Sequence, residues 1–152
     1  MNETVFLTVL TGVVTFVIGQ LVVKLLIEPV QEMRRTIAQI SHTMIERANV
    51  YQNPGIPTQE IMIETSQQTR KLSSQLHAHL YLVPAYSVTA RIFFLPPREK
   101  VLAASSALIG LSNSVFKAVG DTYRANAKKV EVVCDSLGIY LEDSARWPED
   151  LK

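Results

Sequence analysis

Residues Val5 to Ile27 form a nearly unbroken apolar run, VFLTVLTGVVTFVIGQLVVKLLI, interrupted only by Gln20 and Lys24. As a helix rising about 1.5 Å per residue the run covers roughly 34 Å, enough for a hydrocarbon core of about 30 Å. Three structures compete for it: a cleaved signal peptide, a buried core helix and a transmembrane anchor. A signal peptide wants a basic start, a shorter apolar stretch and a small-x-small cleavage site. Here Glu3 is the only charge before the run, and Lys24-Leu25-Leu26-Ile27-Glu28-Pro29 at its end offers no Ala-x-Ala pattern. A core helix shows a polar face, whereas positions 5–19 show nothing more polar than Thr. The run is therefore expected to be a membrane anchor, assigned to residues 1–28.

Basic residues set the expected direction. None precedes the run, while Lys24, Arg34 and Arg35 follow closely and Arg47 lies further on. The positive-inside rule then places the N-terminus outside and the bulk of the chain in the cytoplasm, at the inner face of the cell membrane. Lys24, about one turn from the end, has a stem long enough to reach the headgroups. Pro29 lacks an N–H and is expected to kink or end the membrane helix. Within the span Thr8, Gly12, Thr15 and Gly19 fall on one stripe of small side chains. Such a stripe either lets a second membrane helix approach closely or simply meets lipid, and no full GxxxG is present to decide.

About 120 residues remain after the anchor, enough for one domain with a modest core. Fifteen Lys and Arg against fourteen Asp and Glu argue against nucleic acid as a partner, which needs a concentrated basic face. Cys134 is the only cysteine, so no intramolecular disulfide can form.

The segment 29–141 reads as an all-α, three- to four-helix, bundle-like domain. Val30, Met33, Ile37, Ile40 and Met44 recur at spacings of 3 and 4, as in coiled-coil or bundle packing. Gln52-Asn53-Pro54-Gly55-Ile56-Pro57 gives a turn signal, and Thr58 an N-cap with Glu60 in the first turn. The second helix carries Ile61, Thr65, Leu72, Leu76, Leu80 and Val83 on its apolar side, and the short connection predicts an antiparallel pair. Residues 83–97 alternate in part like a strand, yet no second strand exists to pair with it, so a short helix or extended connector is expected. Tyr81, Tyr86, Phe93 and Phe94 with Arg91 suit a membrane interface; the alternative is that these rings fill the core. Pro97 and Glu99 start a third helix rich in Ala and Ser. Gly120-Asp121 offers a break and a cap, but the stripe Phe116, Val119, Tyr123, Ala127, Val130, Cys134, Leu137, Leu141 runs across it, so one kinked helix competes with two. Residues 142–152 read as an acidic tail that frays.

Recognisable chemistry is sparse. His77 and His79 stand about 200° apart on a helix and cannot share an ion, and His42 with Glu46 offers only two ligands. They read as partly exposed polar positions. Cys134 lies on an apolar stripe, where a buried inert thiol is the default. No Walker loop, nucleophile elbow, dinucleotide fingerprint or zinc-protease helix occurs, so no catalytic, cofactor or metal site is assigned. In Leu108-Ile109-Gly110-Leu111-Ser112-Asn113-Ser114-Val115, Gly110 costs about 1 kcal/mol relative to Ala in a helix. Close approach of another backbone to Gly110, with Asn113 and the serines bonding across the contact, would account for it, as would a simple helix bend.

The order of anchor, helical hairpin, aromatic-proline segment and LIGLSNSV resembles small bacterial single-pass membrane proteins, most closely over residues 84–115. The resemblance implies a location and a helical fold and carries no activity. The expected role is a membrane-anchored interaction or scaffold protein acting through helix association, with itself or with a membrane-protein partner. The alternatives are an accessory or sensory subunit that binds a lipid or apolar ligand near residues 84–97, and a membrane-bound enzyme.

Overall fold

A computed structural model of the chain describes residues 2–117, 120–141 and 146. Among them every regular element is a helix: α1 (Asn2–Val22), α2 (Glu28–Glu46), α3 (Ala48–Gln52), α4 (Gln59–Leu82), α5 (Tyr86–Ile92), α6 (Arg98–Ser114) and α7 (Thr122–Leu137). Residues Val23–Ile27 form a π turn that joins α1 to α2. The acidic tail expected from residue 142 lies outside the described residues apart from Arg146, as does Val119 of the predicted stripe.

The helix does not end at Pro29. α1, the π turn and α2 run on as one 45-residue helix, of which the N-terminal part is long and apolar enough to cross a membrane. The π turn explains the continuity. In an α-helix the Pro29 ring would collide with the carbonyl four residues back, and that carbonyl would lose its partner. Here the Glu28 N–H reaches five residues back to Val23 O, widening the turn just ahead of the proline. No residue of α1 is buried, whereas α2 contributes Val30, Met33, Thr36, Ile40, Thr43 and Met44 to the core.

Three antiparallel helix pairs build that core. Thr36 meets His79, Thr43 meets Gln68 and Arg47 meets Glu64, so α4 runs back along α2. Contacts of Ser66 with Ser112 and of Ser73 with Ser105 set α6 antiparallel to α4. Ser114 with Asn126, and Gly110 with the Lys129 stem, set α7 antiparallel to α6. The Pro-Gly turn and the Thr58 cap fall where expected, Thr58 Oγ1 accepting from Ile61 N at 3.5 Å. Ile61 itself is exposed, and Met62 packs partly against the core instead.

Between α6 and α7 the chain breaks, with Gly120 at φ +43° and Asp121 at the N-cap position of α7, though without a side-chain cap bond. Of the two alternatives, the one that forms is two separate helices. Residues 86–92 form the short helix rather than a strand.

Small polar side chains fill the seams where these helices meet. Ser73 Oγ lies 2.8 Å from Ser105 O, and Ser66 Oγ donates to Ser112 O at 2.8 Å. Asn126, fully buried, donates from Nδ2 to Tyr51 O at 3.0 Å and accepts from Ser114 Oγ at 2.5 Å. It thereby ties α3, α6 and α7 together through groups that have no access to water. Replacing Asn126 by Ala leaves the Tyr51 carbonyl unpaired and removes an acceptor from Ser114, at an expected cost of about 2–3 kcal/mol. Thermal unfolding followed by circular dichroism checks this, with exposed Gln67→Ala as a control expected within about 0.5 kcal/mol of wild type.

Candidate functional site

The residues singled out by sequence do not converge on one place. Thr8, Gly12, Thr15 and Gly19 lie exposed along α1, and apart from chain neighbours and the local helix backbone no atom of the described residues lies within 4 Å of a Cβ built on either glycine. Thr8 Oγ1 donates back to Thr4 O at 2.8 Å. Gly110 is covered by the aliphatic stem of Lys129, whose Cδ and Cε lie 3.1 Å from a built Cβ, rather than by another backbone. Asn113 does bond across the helix contact, its Oδ1 accepting from Arg70.

His79 is buried rather than partly exposed, while His77 keeps partial exposure. The His79 Nε2 lies 2.9 Å from Thr36 Oγ1, a pairing that suits a neutral imidazole because a hydroxyl both donates and accepts. Burial holds its pKa below the ordinary 6.5, partly opposed by Glu32. His42 Nδ1 and Glu46 Oε2 stand 3.8 Å apart at the surface. Among the described residues no three of His, Cys, Asp and Glu gather into a metal-holding cluster. Cys134 is buried, and burial raises its thiol pKa, so it stays a thiol.

A more coherent site is assembled at the end of the domain where α1 enters. Antiparallel pairing brings the C-terminus of α4, all of α5 and the N-terminus of α6 to this end. Leu82, Ala78 and His79 line, together with Lys24, Glu28 and Pro29, a cleft of about 530 Å³. Nearby, Arg34 donates to Phe93 O at 2.6 Å, and Tyr86 lies against Met33 and donates to Pro96 O at 2.7 Å. Tyr86 is thus a core residue, and burial pushes its phenol up to about 12. Phe93 is half-buried against the core.

The outward side of this end is apolar. Tyr81, Leu82, Val88, Ile92 and Phe94 are 60–92% exposed, Phe94 the most. Arg91 is exposed on the same helix, and the Arg98 guanidinium sits 5.7 Å from the Tyr81 ring centre. The aromatic-proline segment therefore divides: Tyr86 and Phe93 turn inward, Tyr81 and Phe94 outward. Sequence reading named these rings without separating the two groups, and it missed Leu82, Val88 and Ile92. Val88 and Ile92 at i, i+4 carry a signal, since they share a helix face opposite Tyr86 and Ala90.

Backbone geometry singles out Phe94. α5 closes with a turn in which Leu95 N–H reaches back to Ala90 O at 2.9 Å, Phe94 occupying the left-handed position at φ +53°. α7 ends the same way, Ile139 N–H reaching Cys134 O at 2.9 Å, but there Gly138 takes the left-handed position at φ +69°. A side chain at that position costs about 1–2 kcal/mol that glycine avoids.

A second apolar concavity lies between α2–α3 and α7. It holds about 390 Å³ and is lined by Met44, Ile45, Tyr51, Val130, Cys134 and Ile139 among others.

No protein-family model matches this chain, and neither does any curated protein or solved structure.

Two outcomes are expected here. Because folded His79 resists protonation while the unfolded imidazole does not, the unfolded state binds more protons and stability rises with pH. The contribution is fully present above 6.5 and is lost as pH falls from there through the lowered folded-state pKa, so acidification should lower the unfolding midpoint, and His79→Gln should flatten that dependence. Phe94→Gly should stabilise the fold by about 0.5–1 kcal/mol once glycine's greater unfolded-state entropy is set against the relieved strain, measurable by the same thermal unfolding.

Proposed function

We propose that the protein is a membrane-anchored helical interaction protein, with residues 5–27 crossing the bilayer and a helical bundle held against its cytoplasmic face. One observation carries the reading: α1 is wholly exposed and apolar, yet it continues without a break into α2, whose Val30, Met33 and Ile40 are buried in the core. An apolar helix that none of the described residues covers needs an apolar surrounding, and lipid supplies one. Lys24 near the inner end of the span, with Arg34 and Arg35 just beyond it, supports the N-out, C-in direction. The role itself is binding rather than chemistry. It rests on helix surfaces, including the small-residue stripe of α1, that are available to a second copy or to another membrane protein.

A second reading, an accessory subunit taking an apolar ligand, draws support from the 390 Å³ groove between α2–α3 and α7. Its size falls within the range of small-molecule sites. That placement moves the ligand away from residues 84–97, where sequence alone put it.

Topology and association are separable experiments. The protein should resist alkaline extraction from membranes, and a fluorescent reporter fused after Lys152 should be active while an exported phosphatase fused there is not. Crosslinking in native membranes should then trap either a second copy or a defined membrane protein. A chain that stays monomeric in mild detergent and traps nothing would sink the interaction role while leaving the anchor intact.

A further inference from the structure

We infer that the α5 end of the domain is a second membrane contact: Leu82, Val88, Ile92 and Phe94 sit in the headgroup–acyl boundary of the same bilayer that α1 crosses. The inference rests on the anchor reading and adds to it a fixed, face-down pose for the domain.

Height is the first argument. Leu82 shares a cleft with Lys24 and Glu28, the residues at which the apolar span gives way to polar ones. Its level along the membrane normal is therefore that of the interface itself. α5 follows after three residues and is tied back to the same stretch of helix through Tyr86 at Met33 and Phe93 O at Arg34. Arg34 lies seven residues beyond Ile27, a rise of roughly 10 Å, comparable with the depth of the headgroup layer plus the reach of a phenyl side chain.

Composition of the face is the second. α5 has apolar residues on two sides: Tyr86 and Ala90 turn into the core, while Val88 and Ile92 turn outward and are more than 60% exposed among the described residues. Phe94 stands beside them, almost fully exposed. An outward apolar ridge flanked by a ring is what an interfacial helix buries.

Charge is the third. Lys24, Arg34, Arg35, Arg91 and Arg98 stand at this end against Glu28, Glu32 and Glu99, so cations outnumber acids there. Anionic lipid headgroups complement such a rim, and Tyr81 beneath Arg98 places a further amphipathic ring at the same end.

Strain at Phe94 fits this picture. A ring at a position that favours glycine contributes nothing to the core, and it turns toward the only apolar medium within reach.

Tryptophan fluorescence in full-length protein tests the pose. The native Trp147 is the sole tryptophan, so Trp147→Phe gives a silent background. Three variants are made in it: Phe94→Trp, Phe16→Trp within the span, and Ile45→Trp. Ile45 is 76% exposed and lies eighteen residues, or roughly 27 Å, beyond Ile27. All three positions are exposed, so folding is not at stake. The proteins are reconstituted into phosphatidylethanolamine–phosphatidylglycerol vesicles with or without brominated acyl chains. The expected result is blue-shifted emission and bromine quenching for Phe16→Trp and Phe94→Trp, with water-like, unquenched emission for Ile45→Trp. Water-like emission from Phe94→Trp beside a quenched Phe16→Trp overturns the second contact and leaves the anchor standing. Emission from Phe94→Trp that is blue-shifted yet unquenched also overturns it, assigning the face to a second copy of the chain. An unquenched Phe16→Trp removes the anchor and this inference with it.

Discussion

Continuity of one helical backbone from Asn2 to Glu46 is the constraint on which the rest of the molecule depends. Its first half carries no core residue and its second half supplies one wall of the core. A flexible joint between them would let the domain tumble at the end of a tether. A helical joint does not, because every backbone bond across residues 23–28 would have to break for the two halves to reorient independently. Position and orientation of α4, α5, α6 and α7 thus follow from the path of the first helix.

Cohesion within the domain has an unusual balance for a small helical protein. Alongside Met33, Ile40, Leu76, Leu108 and Leu111, the interior includes Thr36, Thr43, Thr65, Thr69, Ser73, Ser105, Ser112 and Asn126. Short side chains let helices approach closely, and their hydroxyls find carbonyls on the neighbouring helix, as Ser66 and Ser73 do on α6. Such bonds contribute modestly when made and cost more when one partner is lost. They also specify register, since a one-residue slide of α4 on α6 would misalign each serine with its acceptor. The high serine and alanine content of α6 is explained by this seam.

Much of the fold was legible because it follows from spacing. The stripe Val30–Met44, the Pro-Gly turn and the Thr58 cap are local signals, and the structure places a helix, a turn and a cap there. Pro29 does not end the helix, because a proline's effect depends on whether the preceding turn can widen, and nothing in the residues Val23–Ile27 marks a π turn. The break at Gly120 was ambiguous, because an apolar stripe can cross a turn when both flanking helices face the same core. The rings of residues 81–94 were visible as a group, but their division into inward and outward sets depends on the tertiary pairing of α4 with α2. The burial of His79, expected to be partly exposed, is not legible because a polar residue on a helix carries no mark of its depth; the Thr36 hydroxyl that makes it tolerable lies 43 positions away.

The π turn has a consequence beyond accommodating a proline. An α-helix advances each residue by about 100° around its axis, and a single π turn takes in one residue more than the α-helical ladder would. Val23–Ile27 therefore acts as a phase setting between the Thr8–Gly19 stripe and the core-facing stripe that begins at Val30. Two chains meeting through the first stripe would have their domains aimed by this one irregular turn. Absorbing it into a regular helix would swing both domains around their axes while leaving every contact inside each of them untouched. A stretch of backbone with no fully buried side chain would then decide which surfaces of two neighbouring domains can meet.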